Sequence, residues 1–189
     1  MASEVTTDTK DTKRTVVVSV DDSPMTDHVL KWCARRILTD KDKVVLVHAV
    51  EYSNVTFLPG SEIGAFSGGT VMADVNEAIR KAAVEKGTKF LQECSKKLSA
   101  EGSAANELKL LLVHPSTSVK GAICDYTDDI KPDLVVCGSR GMGAMGRAFL
   151  GSTSDYLMHN AKCSTMIVKP PPSSESETTA GNDARLHCG

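Results

Sequence analysis

At 189 residues the chain is long enough for one domain with a sizeable core and short for two. Its 22 Lys and Arg stand against 24 Asp and Glu, a formal net charge of −2 with both signs interspersed, which leaves no basic footprint for DNA, RNA or an anionic membrane surface. No apolar run approaches the ~20 residues needed to span a bilayer, and the opening MASEVTTDTKDTKRT lacks the apolar core of a secretory signal, so the expected location is cytoplasmic.

The first element is TVVVSV (15–20), a continuous Val-rich run that suits a strand covered on both faces rather than one face. Ser23 can cap a following helix whose first residue is Pro24, with Leu30, Cys33, Ala34, Ile37 and Leu38 on one side of it. KVVLVHAV (43–50) reads as a second strand, and SNVTFLPGSEIGAFSGGT (53–70) as a long loop, either a lid or surface disorder. A long helix is predicted over about 73–99, aligning Val75, Ile79, Ala82, Phe90, Leu91, Cys94 and Leu98, with Gly87 as its weak point. LKLLLVH (108–114) is a third strand and 117–130 a third helix, aligning Val119, Ile123, Tyr126 and Ile130. DLVVCG (133–138) is a fourth strand; a last helix opens at Ser152, with Asp155 three residues on in a capping-box arrangement, before a final strand TMIVK (165–169). The polar ends, 1–13 and 171–189, are expected to be a disordered arm and tail around one domain over 14–170.

Strand and helix therefore alternate, which implies a doubly wound α/β fold: a five-stranded parallel sheet with helices on both faces. Such sheets take ligands beyond the carboxyl ends of their strands, where neighbouring connections leave on opposite faces. The six cysteines contain no CxxC pair and lie among apolar neighbours, so buried, inert thiols are expected and neither a disulfide framework nor a zinc site. The five histidines are too dispersed to indicate a metal, and His48 and His114, each ending an apolar strand, read as hydrogen-bonded structural residues.

GSRGMGAMGRAFLGST (138–153) gathers the glycines. A P-loop is excluded because Arg147-Ala148 stand where Lys and Ser/Thr are required, and a dinucleotide fingerprint is excluded because only one strand follows, without the acidic residue that should close it. The remaining spacing is Gly138, two residues, Gly141, nine residues, then Gly151-Ser152. It puts one turn at the mouth of the fourth strand and another at the start of the last helix, where backbone N–H groups and the hydroxyls of Ser152 and Thr153 can converge on a polyphosphate.

That spacing, with VVVSVDDS, LVHAV, PDLVVCGSRGMGAMGRAFLGS and a closing MIVKP, resembles the universal stress protein family from about Arg14 to Lys169. The resemblance implies a sheet ordered 3-2-1-4-5, of the adenine nucleotide alpha hydrolase-like kind, and binding of ATP or another adenine nucleotide between the ends of strands one and four, with Mg2+ arriving on the nucleotide. It places Asp21 near the base and ribose, Val20 and Ala49 against adenine, and Gly138, Gly141, Gly143, Gly151, Ser152 and Thr153 around ribose and phosphates. Met142 would contribute mainly backbone, and Arg140 stands where it can add charge to the phosphate contacts. Val113-His114-Pro115-Ser116-Thr117 departs from the glycine-containing turn that many relatives carry after strand three. The expected function is a nucleotide-dependent sensor or signalling protein of the stress response, pairing as a homodimer through its last strand. The alternatives are a slow ATPase or phosphoryl-transfer enzyme, in which Asp21 or His48 orients water, and a scaffold with nucleotide as a structural ligand.

Overall fold

Val16, Val17 and Val18 are each 0% exposed. Successive residues of a strand point to opposite faces, so three in a row can be buried only in a strand covered on both sides. This strand, β1 (Thr15–Ser19), is the middle of the fold in a computed structural model that describes residues 13–55, 69–114, 116–139 and 150–171. After it come α1 (Pro24–Arg36), β2 (Lys43–Glu51), α2 (Gly69–Ala100), β3 (Glu107–Val113), α3 (Val119–Ile130), β4 (Leu134–Gly138), α4 (Ser152–Asn160) and β5 (Ser164–Val168). The five strands form one parallel sheet in the order β3-β2-β1-β4-β5, with Val17 of β1 paired to Val45 of β2 on one side and Val135 of β4 on the other.

The helices divide by sequence. On one face Val16, Val18, Leu46 and Val136 pack with Val29, Leu30 and Cys33 of α1 and Leu91, Cys94 and Leu98 of α2. On the other, Val17, Val45, Val47, Val135 and Cys137 pack with Ile123 and Cys124 of α3 and Leu157 of α4. Burying a Leu or Val side chain contributes about 1.5–3 kcal/mol, so these two clusters hold the layers together.

Several local expectations are corrected. Helix α1 stops at Arg36, and Ile37 and Leu38 pack on the core from beyond its end. The long helix begins at Gly69, not near 73, and in its first half Val75 is 40% exposed and Ala82 is exposed as well. Gly87 is no weak point. It is buried where a β-carbon would lie 2.5 Å from Leu110 Cδ1 and 3.2 Å from Val50 Cγ2, and its missing side chain lets α2 sit close on β2 and β3. Helix α3 starts at Val119 behind Ser118, whose hydroxyl accepts the Gly121 N–H. The cap of α4 is Gly151 rather than Ser152, and Asp155 forms no capping box.

At the amino ends of the strands, Arg14 donates Nε to Asp42 Oδ1 (2.9 Å) and a second nitrogen to Oδ2 (2.8 Å). Thr39 adds its N–H and hydroxyl to Oδ2. The Arg14 guanidinium and these Thr39 bonds hold the Asp42 carboxyl below its usual range against its own burial. Cys33, Cys94, Cys124 and Cys137 are buried free thiols and Cys163 is half-buried. Burial pushes the Cys33 thiol up to about 12 and those of Cys94 and Cys137 to about 11. Cys188, the segment 56–68 of the expected loop, and most of the expected arm and tail lie outside the described residues.

Candidate functional site

β1 and β4 are neighbours, yet the chain leaves β1 toward α1 on one face and β4 toward α4 on the other. The two connections diverge and open a crevice beyond the strand ends, as the geometry of doubly wound sheets requires. A cavity of about 1000 Å3 occupies it. Val20, Asp21, Ala49, Gly138, Gly151, Ser152 and Thr153 all line this cavity. Arg140, Gly141, Met142, Gly143 and Arg147 lie outside the described residues.

Asp21 is fixed by the turn that follows β1. Its N–H donates to Thr26 Oγ1 (3.0 Å), and that hydroxyl returns a bond to the Asp21 carbonyl (2.6 Å). The Ser23 hydroxyl, instead of capping α1, donates to Asp21 Oδ1. Asp21 can thus hold the turn and still face the cavity: Oδ1 serves the turn, and Oδ2 has no partner among the described residues.

Across the crevice, α4 begins without a side-chain cap. Gly151 donates its N–H to the Ser139 carbonyl (2.7 Å), and its carbonyl accepts from Asp155 N–H and the Ser154 hydroxyl. The N–H groups of Ser152, Thr153 and Ser154 are left without partners among the described residues, a set of donors at the positive end of a helix. Ser139 ties this corner together: its N–H reaches the Val168 carbonyl (2.8 Å), and its own carbonyl takes the Gly151 amide. Its buried hydroxyl has no partner among the described residues.

The third wall is α2, which presents Lys86, Gly87, Lys89, Phe90 and Glu93. None of these was expected at the site. Helical spacing places Phe90 on the inner side but says nothing of which strand end it faces. Thr26 was missed too, though Asp-Asp-Ser-Pro-x-Thr is the pattern of a hydroxyl returning to a strand-end carboxylate. His48 is buried beside Phe90, ring centroids 4.5 Å apart, with Nδ1 2.9 Å from the Val20 carbonyl. It is hydrogen-bonded, as expected, and desolvation lowers its pKa. His114 is exposed, away from the cavity, its Nδ1 accepting the Ser116 hydroxyl (2.8 Å). Among the described residues no three His, Cys, Asp or Glu side chains converge in a way that could hold a metal ion.

The fold is that of an α/β protein with a cavity at its switch point, where one carboxylate oxygen and a row of helix amides have no partners among the described residues. The family model of the universal stress proteins matches residues 13–169, and the chain belongs to the universal stress protein family. A universal stress protein of Mycolicibacterium smegmatis is 28% identical over 171 residues, which are 90% of this chain. They are 51% of that relative, so the chain spans about half its length. Among solved structures, a family protein from Arabidopsis thaliana with AMP bound has a TM-score of 0.51 at 21% identity, covering 85% of this chain and 97% of that one. A universal stress protein in complex with cAMP has a TM-score of 0.50 at 19% identity, covering 84% of this chain and 98% of that one. Both share the fold.

Proposed function

We propose that the cavity binds an adenine nucleotide, ATP with its magnesium in the first instance, and that the chain acts in the stress response as a cytoplasmic nucleotide-dependent sensor or signalling dimer. The observation that carries this reading is that Val20, Asp21 and Ala49 line the same cavity as Gly138, Gly151, Ser152 and Thr153, segments far apart in sequence. The AMP-bound and cAMP-bound neighbours support it.

In this reading Val20 and Ala49 flank the base and Asp21 Oδ2 accepts from the ribose. The phosphates lie on the uncapped amides of α4, with Gly138, Gly141, Gly143, the Met142 backbone and the Arg140 charge completing their shell. Magnesium is carried by the phosphates rather than by a protein cage. Residues 14–170 form the nucleotide-binding domain. The outer side of β5 carries no strand among the described residues, and its half-buried Thr165, Met166 and Ile167 suit pairing with a second copy.

Isothermal titration of nucleotide-free protein with ATP, ADP, AMP and NAD, with and without magnesium, tests the reading. Saturable binding of adenine nucleotides is expected, and binding of none of them overturns it.

A further inference from the structure

His48 stands out because the turn and phosphate contacts leave it unexplained. It lines the cavity, yet the residue is only 8% exposed. Its Nδ1 lies 2.9 Å from the Val20 carbonyl oxygen. A carbonyl only accepts, so Nδ1 must carry the hydrogen. The ring is also held by Phe90 at 4.5 Å between centroids, so its rotation is blocked from two directions. Burial disfavours the imidazolium, which leaves the ring neutral and Nε2 with a lone pair. Nε2 has no partner among the described residues. Nε2 is therefore a fixed hydrogen-bond acceptor at the cavity wall, on a ring held by the Val20 carbonyl and Phe90.

An acceptor that is desolvated when a ligand enters needs a donor from that ligand, because an unmet buried polar group is costly. Purines differ at this point: a 6-amino group donates, whereas a 6-oxo group presents a second acceptor. We infer that His48 is the specificity-determining residue of the base pocket, its Nε2 accepting the exocyclic amine of a 6-aminopurine and rejecting 6-oxopurines by facing acceptor against acceptor. This rests on the nucleotide reading above and adds to it the group that selects the base. Asp21 and Ser152 contribute nothing to that choice, since ribose and phosphates are common to both classes.

The test compares ATP with ITP, which differ in the base at C6 and its ring proton. Titration of the wild-type protein is expected to give ATP an advantage of roughly tenfold or more. In His48→Phe, which keeps a ring against Phe90, the ratio is expected to fall to about one through weaker ATP binding. A melting curve shows whether that variant is folded, since the Val20 carbonyl loses its donor. Should it not fold, the wild type still decides: with 15N-labelled histidine, the His48 Nε2 resonance must shift on adding ATP and not on adding ITP. An unchanged ATP:ITP ratio in a folded His48→Phe, or an Nε2 resonance indifferent to ATP, overturns the inference while leaving nucleotide binding intact. Failure of the wild type to bind either nucleotide overturns the nucleotide reading, and this inference with it.

Discussion

Replacing Gly87 by Ala separates what a helix prefers from what the sheet beneath it permits. In the interior of an exposed helix the change stabilises by about 1 kcal/mol, because glycine loses more backbone freedom on folding. Here the new β-carbon would lie 2.5 Å from Leu110 Cδ1, 3.2 Å from Leu110 Cδ2 and 3.2 Å from Val50 Cγ2. Leu110 is half-buried on the sheet-edge strand β3 and can turn aside, but Val50 is β-branched and stiff at χ1. Overpacking of this kind costs about 1–3 kcal/mol, so the net expectation is a destabilisation of roughly 0–2 kcal/mol instead of a gain. Urea denaturation followed by far-ultraviolet circular dichroism measures it. In a Leu110→Ala background both Leu110 contacts are gone and only the 3.2 Å contact with Val50 remains, so the same Gly87→Ala should cost less than in the wild type and come close to neutral, a coupling of up to about 2 kcal/mol between the sites. A clear rise in the urea midpoint for Gly87→Ala alone would refute the argument that α2 sits too close for a side chain.

The other expectations are more quickly put. Arg14→Ala should cost about 1–3 kcal/mol in thermal or urea unfolding; Arg14 is itself 44% exposed and screened, so the loss comes from leaving the Asp42 carboxylate, 4% exposed, with only its Thr39 bonds. Because the folded Asp42 pKa is depressed, its stabilisation is present above the usual carboxylate range and lost as pH falls through the folded value, and Arg14→Ala should flatten that acid limb. His48 also has a depressed folded pKa, so its neutral form favours folding: stability should fall as pH drops below about 6.5, and His48→Phe should remove that slope in melting experiments. Asp21→Asn should weaken nucleotide affinity in calorimetry; full binding with abolished phosphate release would instead favour a slow hydrolase. In a Cys188→Ser background, a thiol reagent at pH 8 should find Cys33, Cys94 and Cys137 silent until the chain is unfolded, and early reaction of any of them would contradict their burial.

The strands were legible because a strand covered on both faces must be apolar without alternation, and TVVVSV and KVVLVHAV are. The strand order followed from the likeness to a family, since five similar Val-rich runs do not by themselves say which pairs with which. Asp21 was singled out through the likeness to a family and Gly151 and Ser152 through the glycine spacing at a helix start, and all three line the cavity. Phe90 and Lys86 were not found, because what makes them cavity residues is where α2 comes to rest, a tertiary fact with no local trace, whereas Thr26 was overlooked in a local turn pattern. The cap of α4 was misplaced by one residue for a related reason: a Ser before a helical pattern reads as a cap, but the glycine ahead of it took that position and left the amides of Ser152, Thr153 and Ser154 without partners among the described residues.

The pairing of β1 with β4 joins Val17 to Val135, whereas β1 and β2 meet through Val17 and Val45. During folding the nearer pairing closes the shorter loop, and the β1–β4 ladder must wait for a far larger closure. The cavity has one wall on each side of that ladder. A chain that has made β1, α1 and β2 but not yet β4 has half a pocket, with Asp21 in place and the amides of Ser152, Thr153 and Ser154 not yet facing it. A ligand held across the cavity, as proposed, would depend on that long-range closure and would slow the reopening of the β1–β4 seam before any other part of the sheet.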